Sequence, residues 1–289
     1  MKQFIEYWDD FHKEWYNDII KNGKPTKTNY KGWTILTGYG ENKHKIWRYF
    51  PEPYWGDPTK QLDGIFLNIN PGGGEDDFQD IFNQKKSVLY KEYINNLYYG
   101  KTMSAMQQSK YNNYITNEKF FINKRRNWLA PIIGKQSEKT NVLMTELVPW
   151  HTKKASGLGN FINNNLTKIL NDVIVPLDRI AQNIEGAMKG KIIVRGQDLV
   201  KIINTDIKNN NILKAKQIDQ FIIYNSETKK LNLNYLLTVF NIVNTKFMIF
   251  TGGGGMALPK NTHLICNNTK SGIANIKNSP TVKDFVLSY

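Results

Sequence analysis

Asn70-Pro71-Gly72, followed by Gly73 and Gly74, stands directly after the apolar run Gly64-Ile65-Phe66-Leu67-Asn68-Ile69. Proline fixes a turn, glycine lets backbone approach a ligand, and Asn offers both a donor and an acceptor at the strand's end. The same residues also build an ordinary strand-to-helix turn. Gly252 to Gly255, after the apolar run Phe247 to Phe250, form a rival loop whose backbone N–H groups could cradle phosphate. That loop lacks the trailing Lys-Ser/Thr of a nucleotide-binding P-loop, which leaves a tight crossing or a DNA-phosphate contact. Asp76, Asp77 and Asp80 are the one obvious carboxylate cluster near a strand end, the minimum a magnesium nuclease would need. Gly196-Gln197-Asp198 after a third apolar run is ambiguous, because Asp198 could simply cap a helix.

Charge points to a partner. Lys and Arg total 39 against 25 Asp and Glu, a formal net charge of +14. Part of that surplus is clustered beside aromatics: Lys124-Arg125-Arg126 precede Trp128, and Lys153-Lys154 follow Trp150 and His151. Cations that neutralise phosphates next to rings that stack on bases make a common nucleic-acid surface. A solvated, lysine-rich surface is the plain alternative. Cys266 is the single cysteine, so no disulfide or four-cysteine metal site can form within one chain, and a reducing, cytoplasmic location is expected. The 4 His show no ligand spacing, so no metal and no cofactor are expected. No window has the apolar length of a membrane span.

The elements that must hold these loops follow from periodicity. Residues 2–21 predict a helix with Phe4, Ile5, Trp8, Phe11, Trp15 and Ile19 on one stripe. Residues 33–58 read as irregular or short β structure, punctuated by Gly and Pro. Short apolar runs at 64–69, 141–145, 191–195 and 247–250 predict strands buried on both faces, and His263 to Cys266 is a possible fifth. Residues 78–130 are helical in tendency, and 160–188 predict an amphipathic helix that Pro176 should kink or split. Residues 204–245 carry a weaker pattern and read as an insertion. With 289 residues, 40% hydrophobic and 12% aromatic, one elaborated domain is expected over 1–289, with 1–60 as a helical and irregular extension. Strands separated by helices predict an α/β fold with a mainly parallel sheet covered on both faces, chemistry lying in loops at the carboxyl ends of the strands.

Phe66-Leu67-Asn68-Ile69-Asn70-Pro71-Gly72 resembles the first motif of the mismatch-specific and single-strand-selective branches of the uracil-DNA glycosylase superfamily, which carry Gly-hydrophobic-Asn-Pro-Gly after the first strand. The resemblance implies a three-layer α/β/α fold with a central, mainly parallel four-stranded sheet and insertions. By analogy Asn70 positions a water against the deoxyribose C1′. This chain has Asn68 where the family usually has Gly. Val142-Leu143-Met144-Thr145-Glu146-Leu147-Val148-Pro149 resembles the segment that ends in a base-recognising Asn, and Glu146 stands at that position. An Asn amide pairs with the O4 and N3–H edge of uracil, whereas a carboxylate only accepts, which suits the N4 amino group of cytosine. Glu146 capping a helix or pairing with a lysine is the structural alternative. Thr269-Lys270-Ser271-Gly272-Ile273-Ala274 resembles the family's last loop, with Ile273 as the wedge that fills the gap left by a flipped nucleotide.

The activity so implied is hydrolysis of the N-glycosidic bond of a flipped pyrimidine. Asp76 and Asp77 would help activate water, although acids also favour the first turn of a helix. Phe78, Phe82 and Trp150 could stack on the base or pack in the core, and His151 could stabilise the leaving base or touch phosphate. Gly72, Gly73 and Gly74 remove side chains where relatives exclude substituted pyrimidines, which with Glu146 suggests a 5-substituted cytosine such as glucosylated hydroxymethylcytosine. The chain thus resembles bacterial anti-phage DNA glycosylases. The expected partner is DNA, double- or single-stranded, with Lys124, Arg125, Arg126, Lys153, Lys270, Ser271, Gly272 and Ile273 as its contacts, and the expected state is a monomer. Uracil or mismatch repair, and a non-catalytic nucleic-acid binder, are the alternatives.

Overall fold

The computed structural model describes residues 2–35, 51, 54–56, 58, 60–69, 116–150, 158–251, 258–267 and 276–289. The chain groups into two compact units, Met1–Lys60 with Asn68–Lys119 and Met144–Pro176, and Gln61–Leu67 with Phe120–Leu143 and Leu177–Tyr289.

The first unit is organised by helix α1, Lys2–Asn22. Its stripe at spacings of three and four buries Phe4, Ile5, Trp8, Phe11, Trp15 and Ile19, as the periodicity predicts. Gly23, at φ +66, turns the chain out of the helix and donates its N–H to Ile19 O at 2.9 Å. Asp18, in the last turn, accepts from Thr26 N (2.8 Å), Tyr30 Oη (2.8 Å) and Asn22 Nδ2 (2.8 Å), tying the following loop to the helix. That loop leads to the antiparallel pair β1, Asn29–Tyr30, and β2, Trp33–Thr34. Lys31 and Gly32 both have positive φ (47 and 79), the two-residue turn whose twist matches a hairpin. Trp33 then packs on Trp8 with centroids 6.0 Å apart.

The second unit is built on a sheet. Its strands are β4, Gly64–Asn68; β5, Val142–Glu146; β6, Lys191–Arg195; β7, Ala215–Asn225; β8, Lys230–Ile242; β9, Thr245–Thr251; and β10, Leu264–Asn267, in the order β10-β7-β8-β9-β6-β4-β5. The ends of β4 and β5 belong to the first unit, where β3, Tyr54–Trp55, pairs antiparallel with β5 through Tyr54 and Thr145. β4, β6 and β9 pair parallel, and they are the strands whose sequences are continuous apolar runs, buried on both faces. Helix α2, Thr116–Ile133, lies close to β4: a Cβ added at Gly64 would come within 2.6 Å of Leu129 Cδ2. Trp128 of α2 meets Phe66 and Phe250 edge-on at 6.0 and 5.9 Å.

The fold is α/β, but the sheet is mixed where a mainly parallel, four-stranded one is expected from sequence. β7, β8 and β10 join it through antiparallel pairings, β8 on β9, β7 on β8 and β10 on β7. Residues 204–245, read as an insertion, form the end of a helix and this β7–β8 hairpin, with Phe221, Ile223, Leu237, Val239, Phe240 and Ile242 buried. The physical reason is that an antiparallel strand with one wet face alternates apolar and polar residues, so its signal is weaker than that of a buried parallel strand. Phe221 to Tyr224 alternates in this way between buried and half-buried positions.

The predicted helix 160–188 is broken into α3, Gly159–Asn164, α4, Leu166–Ile169, a π-helical turn over Leu170–Ile174, and α5, Val175–Gln182. The π turn precedes Pro176, which has no N–H and whose ring would clash with the carbonyl four residues back in a regular α-helix. Among the described residues the second unit also holds α6, Gln197–Asn209, and α7, Val282–Ser288. Thr281 caps α7 by accepting from Asp284 N at 3.1 Å, while buried Lys191 donates to Val286 O at 2.7 Å near its other end.

Candidate functional site

β4 and β5 end side by side, and that is where the polar groups meet. Asp63 N–H donates to Asn141 O (2.8 Å) just before the two strands, and Leu147 N–H donates to Asn68 O (2.9 Å) just after them. The near-constant offset of these bonds shows that β4 and β5 run the same way, so both chains leave the sheet at one end. Val148 N–H then donates to Ile69 O at 2.9 Å, which keeps the two exits together for a further residue.

Between those exits Asn68 Nδ2 donates to Glu146 Oε1 at 2.9 Å. Glu146 is 3% exposed, whereas Asn68 is half-buried. A carboxylate is costly to bury without donors, and the Asn68 amide supplies one to it directly. The bond holds one carboxylate oxygen, and it orients Asn68 so that an amide N–H points at Glu146. Two residues 78 positions apart in the chain thus form one polar unit, in a position where the sequence shows only the end of each strand.

Trp150 lies wholly in the core of the first unit, with ring centroids 5.6 Å from Phe11 and 6.3 Å from Tyr30. The basic run on α2 is split by the helix. Lys124 is exposed, Arg125 is 3% exposed with its guanidinium carbon 5.6 Å from the Phe66 centroid, and Arg126 is half-buried. Asn70, Gly72, Gly73, Asp76, Asp77, Phe78, His151, Lys153, Lys270, Ser271, Gly272 and Ile273 lie outside the described residues, as does the Gly252–Gly255 loop.

The structure adds a second polar cluster, in the first unit, that nothing in the linear sequence signals because its members come from four separate elements, α1, β2, α4 and the π turn. Tyr7 Oη donates to Asp172 Oδ2 at 2.6 Å, Trp33 Nε1 donates to Tyr7 Oη at 3.1 Å, and Lys168 pairs with Asp172. The Lys168 ammonium also lies 5.4 Å from the Trp33 centroid and 5.8 Å from that of Tyr7. Burial, reinforced by the hydrogen bond and charge of Asp172, pushes the Tyr7 phenol above its ordinary range, so it stays a protonated donor. Lys168 and Asp172 border an open hollow of ≈ 380 Å³ together with Asn164, Asn165, Thr167 and Asn171. An ion pair packed against two rings suits a structural tie between α1, β2, α4 and the π turn.

Among the described residues no group of three or more His, Cys, Asp or Glu could hold a metal ion, and no helix is long and apolar enough to cross a membrane. Compared with known proteins, the chain matches no family model, no curated protein and no solved structure.

Proposed function

We propose that this protein is a DNA glycosylase that hydrolyses the N-glycosidic bond of a flipped, 5-substituted cytosine. The observation that carries the proposal is the buried Glu146 carboxylate held by Asn68 at the shared exit of β4 and β5. An ionised carboxylate only accepts, and an acceptor fits the exocyclic amino group of cytosine better than the O4 edge of uracil. The uracil-DNA glycosylase resemblance carries with it a three-layer core. The run β5-β4-β6-β9 inside the mixed sheet supports that finer fold, since these are the strands after which the candidate loops follow.

In this mechanism the base leaves the stack and enters a pocket where Glu146 accepts from N4. Asn70 holds the attacking water, aided by Asp76 or Asp77, as the glycosidic bond breaks to an oxocarbenium-like sugar and an anionic base. Gly72 and Gly73 leave room for the 5-substituent, and Phe78 and His151 contact the base or its negative charge. Ile273 props the vacated stack. The excess of basic residues holds the polyanion, here foreign, modified phage DNA in the cytoplasm, with the protein acting as a monomer. No metal is required for transfer of a glycosyl group to water.

Base release from plain, uracil-containing and glucosyl-hydroxymethylcytosine DNA tests the proposal. Release of the glucosylated base, undiminished by EDTA and abolished in Asn70→Ala, is expected. Activity confined to uracil would return the chain to a repair role. DNA binding with no base released would leave a non-catalytic binder.

A further inference from the structure

We propose that Arg126 is a phosphate-binding residue, and that of the three neighbouring cations on α2 it is the one preorganised to hold a phosphate of the DNA backbone. The inference rests on the nucleic-acid reading above but not on base excision. Arg126 is half-buried, its Nε is wholly shielded from solvent, and that atom has no hydrogen-bond partner among the described residues. Among the described residues burial alone acts on its guanidinium, and no carboxylate or other charge offsets it. A guanidinium stays protonated at any physiological pH, so this is a partly desolvated positive charge; its shielded Nε is closed to a phosphate, which must meet the two Nη groups instead.

The composition of the helix explains why no anion on α2 answers it. Glu118 is the single acid in the α2 sequence, eight residues earlier and about 12 Å along the axis. Lys124 and Arg125 add positive charge on the same helix. Arg125 is committed to the Phe66 ring and buried, which makes it part of the packing. The helix is also firmly placed: Trp128 Nε1 donates to Pro259 O at 2.8 Å and Asn261 Nδ2 returns a bond to Trp128 O at 3.0 Å. A rigid, partly desolvated guanidinium whose planar fork matches two oxygens of one phosphate is the chemistry of a phosphodiester contact. An exposed lysine offers only a mobile point charge.

The test uses the full chain and a duplex of ordinary bases, so that no base release intervenes. Arg126→Met keeps the aliphatic stem and removes the fork; Arg126→Lys keeps a charge. Wild-type affinity should fall with salt, and Arg126→Met should lower the slope of log K against log salt by about one while weakening binding equally for every sequence. Arg126→Lys should keep the slope but bind more weakly. The Arg126 Nε–H resonance should shift on adding the duplex. The same shift with inorganic phosphate would assign the site to phosphate in general, and a shift with duplex alone to the polymer backbone. An unchanged slope in a folded Arg126→Met, with no resonance shift, overturns the proposal while leaving the glycosylase reading standing. A wild-type chain that does not bind DNA overturns both.

Discussion

Replacing Glu146 by Gln changes one atom of a buried pair and should redirect which base is accepted. In the native protein Asn68 Nδ2 lies 2.9 Å from Oε1 of a carboxylate that is 3% exposed. A hydrogen bond to a charged group contributes roughly 1.5–3 kcal/mol, and its neutral counterpart about 0.5–1.5 kcal/mol. The introduced glutamine would still accept from Asn68 through its amide oxygen, so the variant should fold with a loss on the order of 1 kcal/mol, read as a lower urea midpoint at unchanged slope. Its NH₂ would then take the place of the second carboxylate oxygen. Toward cytosine N4 that sets donor against donor; toward uracil O4 it makes a bond. A single good polar contact to a base edge discriminates by about 1–3 kcal/mol, on the order of 5- to 150-fold. Competition between single strands that carry either one excision-resistant cytosine analogue or one uracil analogue measures the ratio of affinities directly. Glu146→Gln should move that ratio toward uracil by at least several-fold. A folded variant with the native ratio would show that Glu146 does not touch the base, and the cytosine assignment would fail with it.

Other outcomes follow from the same structure. Burial pushes the His12 imidazole down from 6.5 to about 4, against the bond between its Nε2 and Pro51 O at 2.7 Å. A depressed pKa in the folded state means the unfolded chain binds the extra proton. The stabilisation, about 3 kcal/mol, is therefore complete above pH 6.5 and lost as pH falls toward 4, and urea unfolding at stepped pH should show this window flattened in His12→Gln. Trp8→Ala removes a fully buried ring that meets Phe11 and Trp33, and should cost about 3–5 kcal/mol by chemical denaturation. Gly32→Ala meets both a positive φ of 79 and Lys168 Nζ at 3.1 Å from the new Cβ, so a loss of about 1–2 kcal/mol in the same assay is expected, with native far-UV circular dichroism.

Local pattern was enough for some of this protein. The stripe from Phe4 to Ile19 makes α1 legible because a helix repeats every 3.6 residues whatever it packs on. β4, β5, β6 and β9 are legible because a strand buried on both faces must be apolar throughout. The β7–β8 hairpin was not, because a half-wet strand dilutes its apolar residues with Asn and Lys. Within Lys124-Arg125-Arg126 the sequence shows three equal cations; the rotation of α2 against Phe66 decides that one is packed, one exposed and one desolvated without an anion among the described residues. The bond between Asn68 and Glu146 is of the same kind. Periodicity states that two strands end there, but which side chains touch depends on the register of β4 against β5, and register is a property of the assembled sheet.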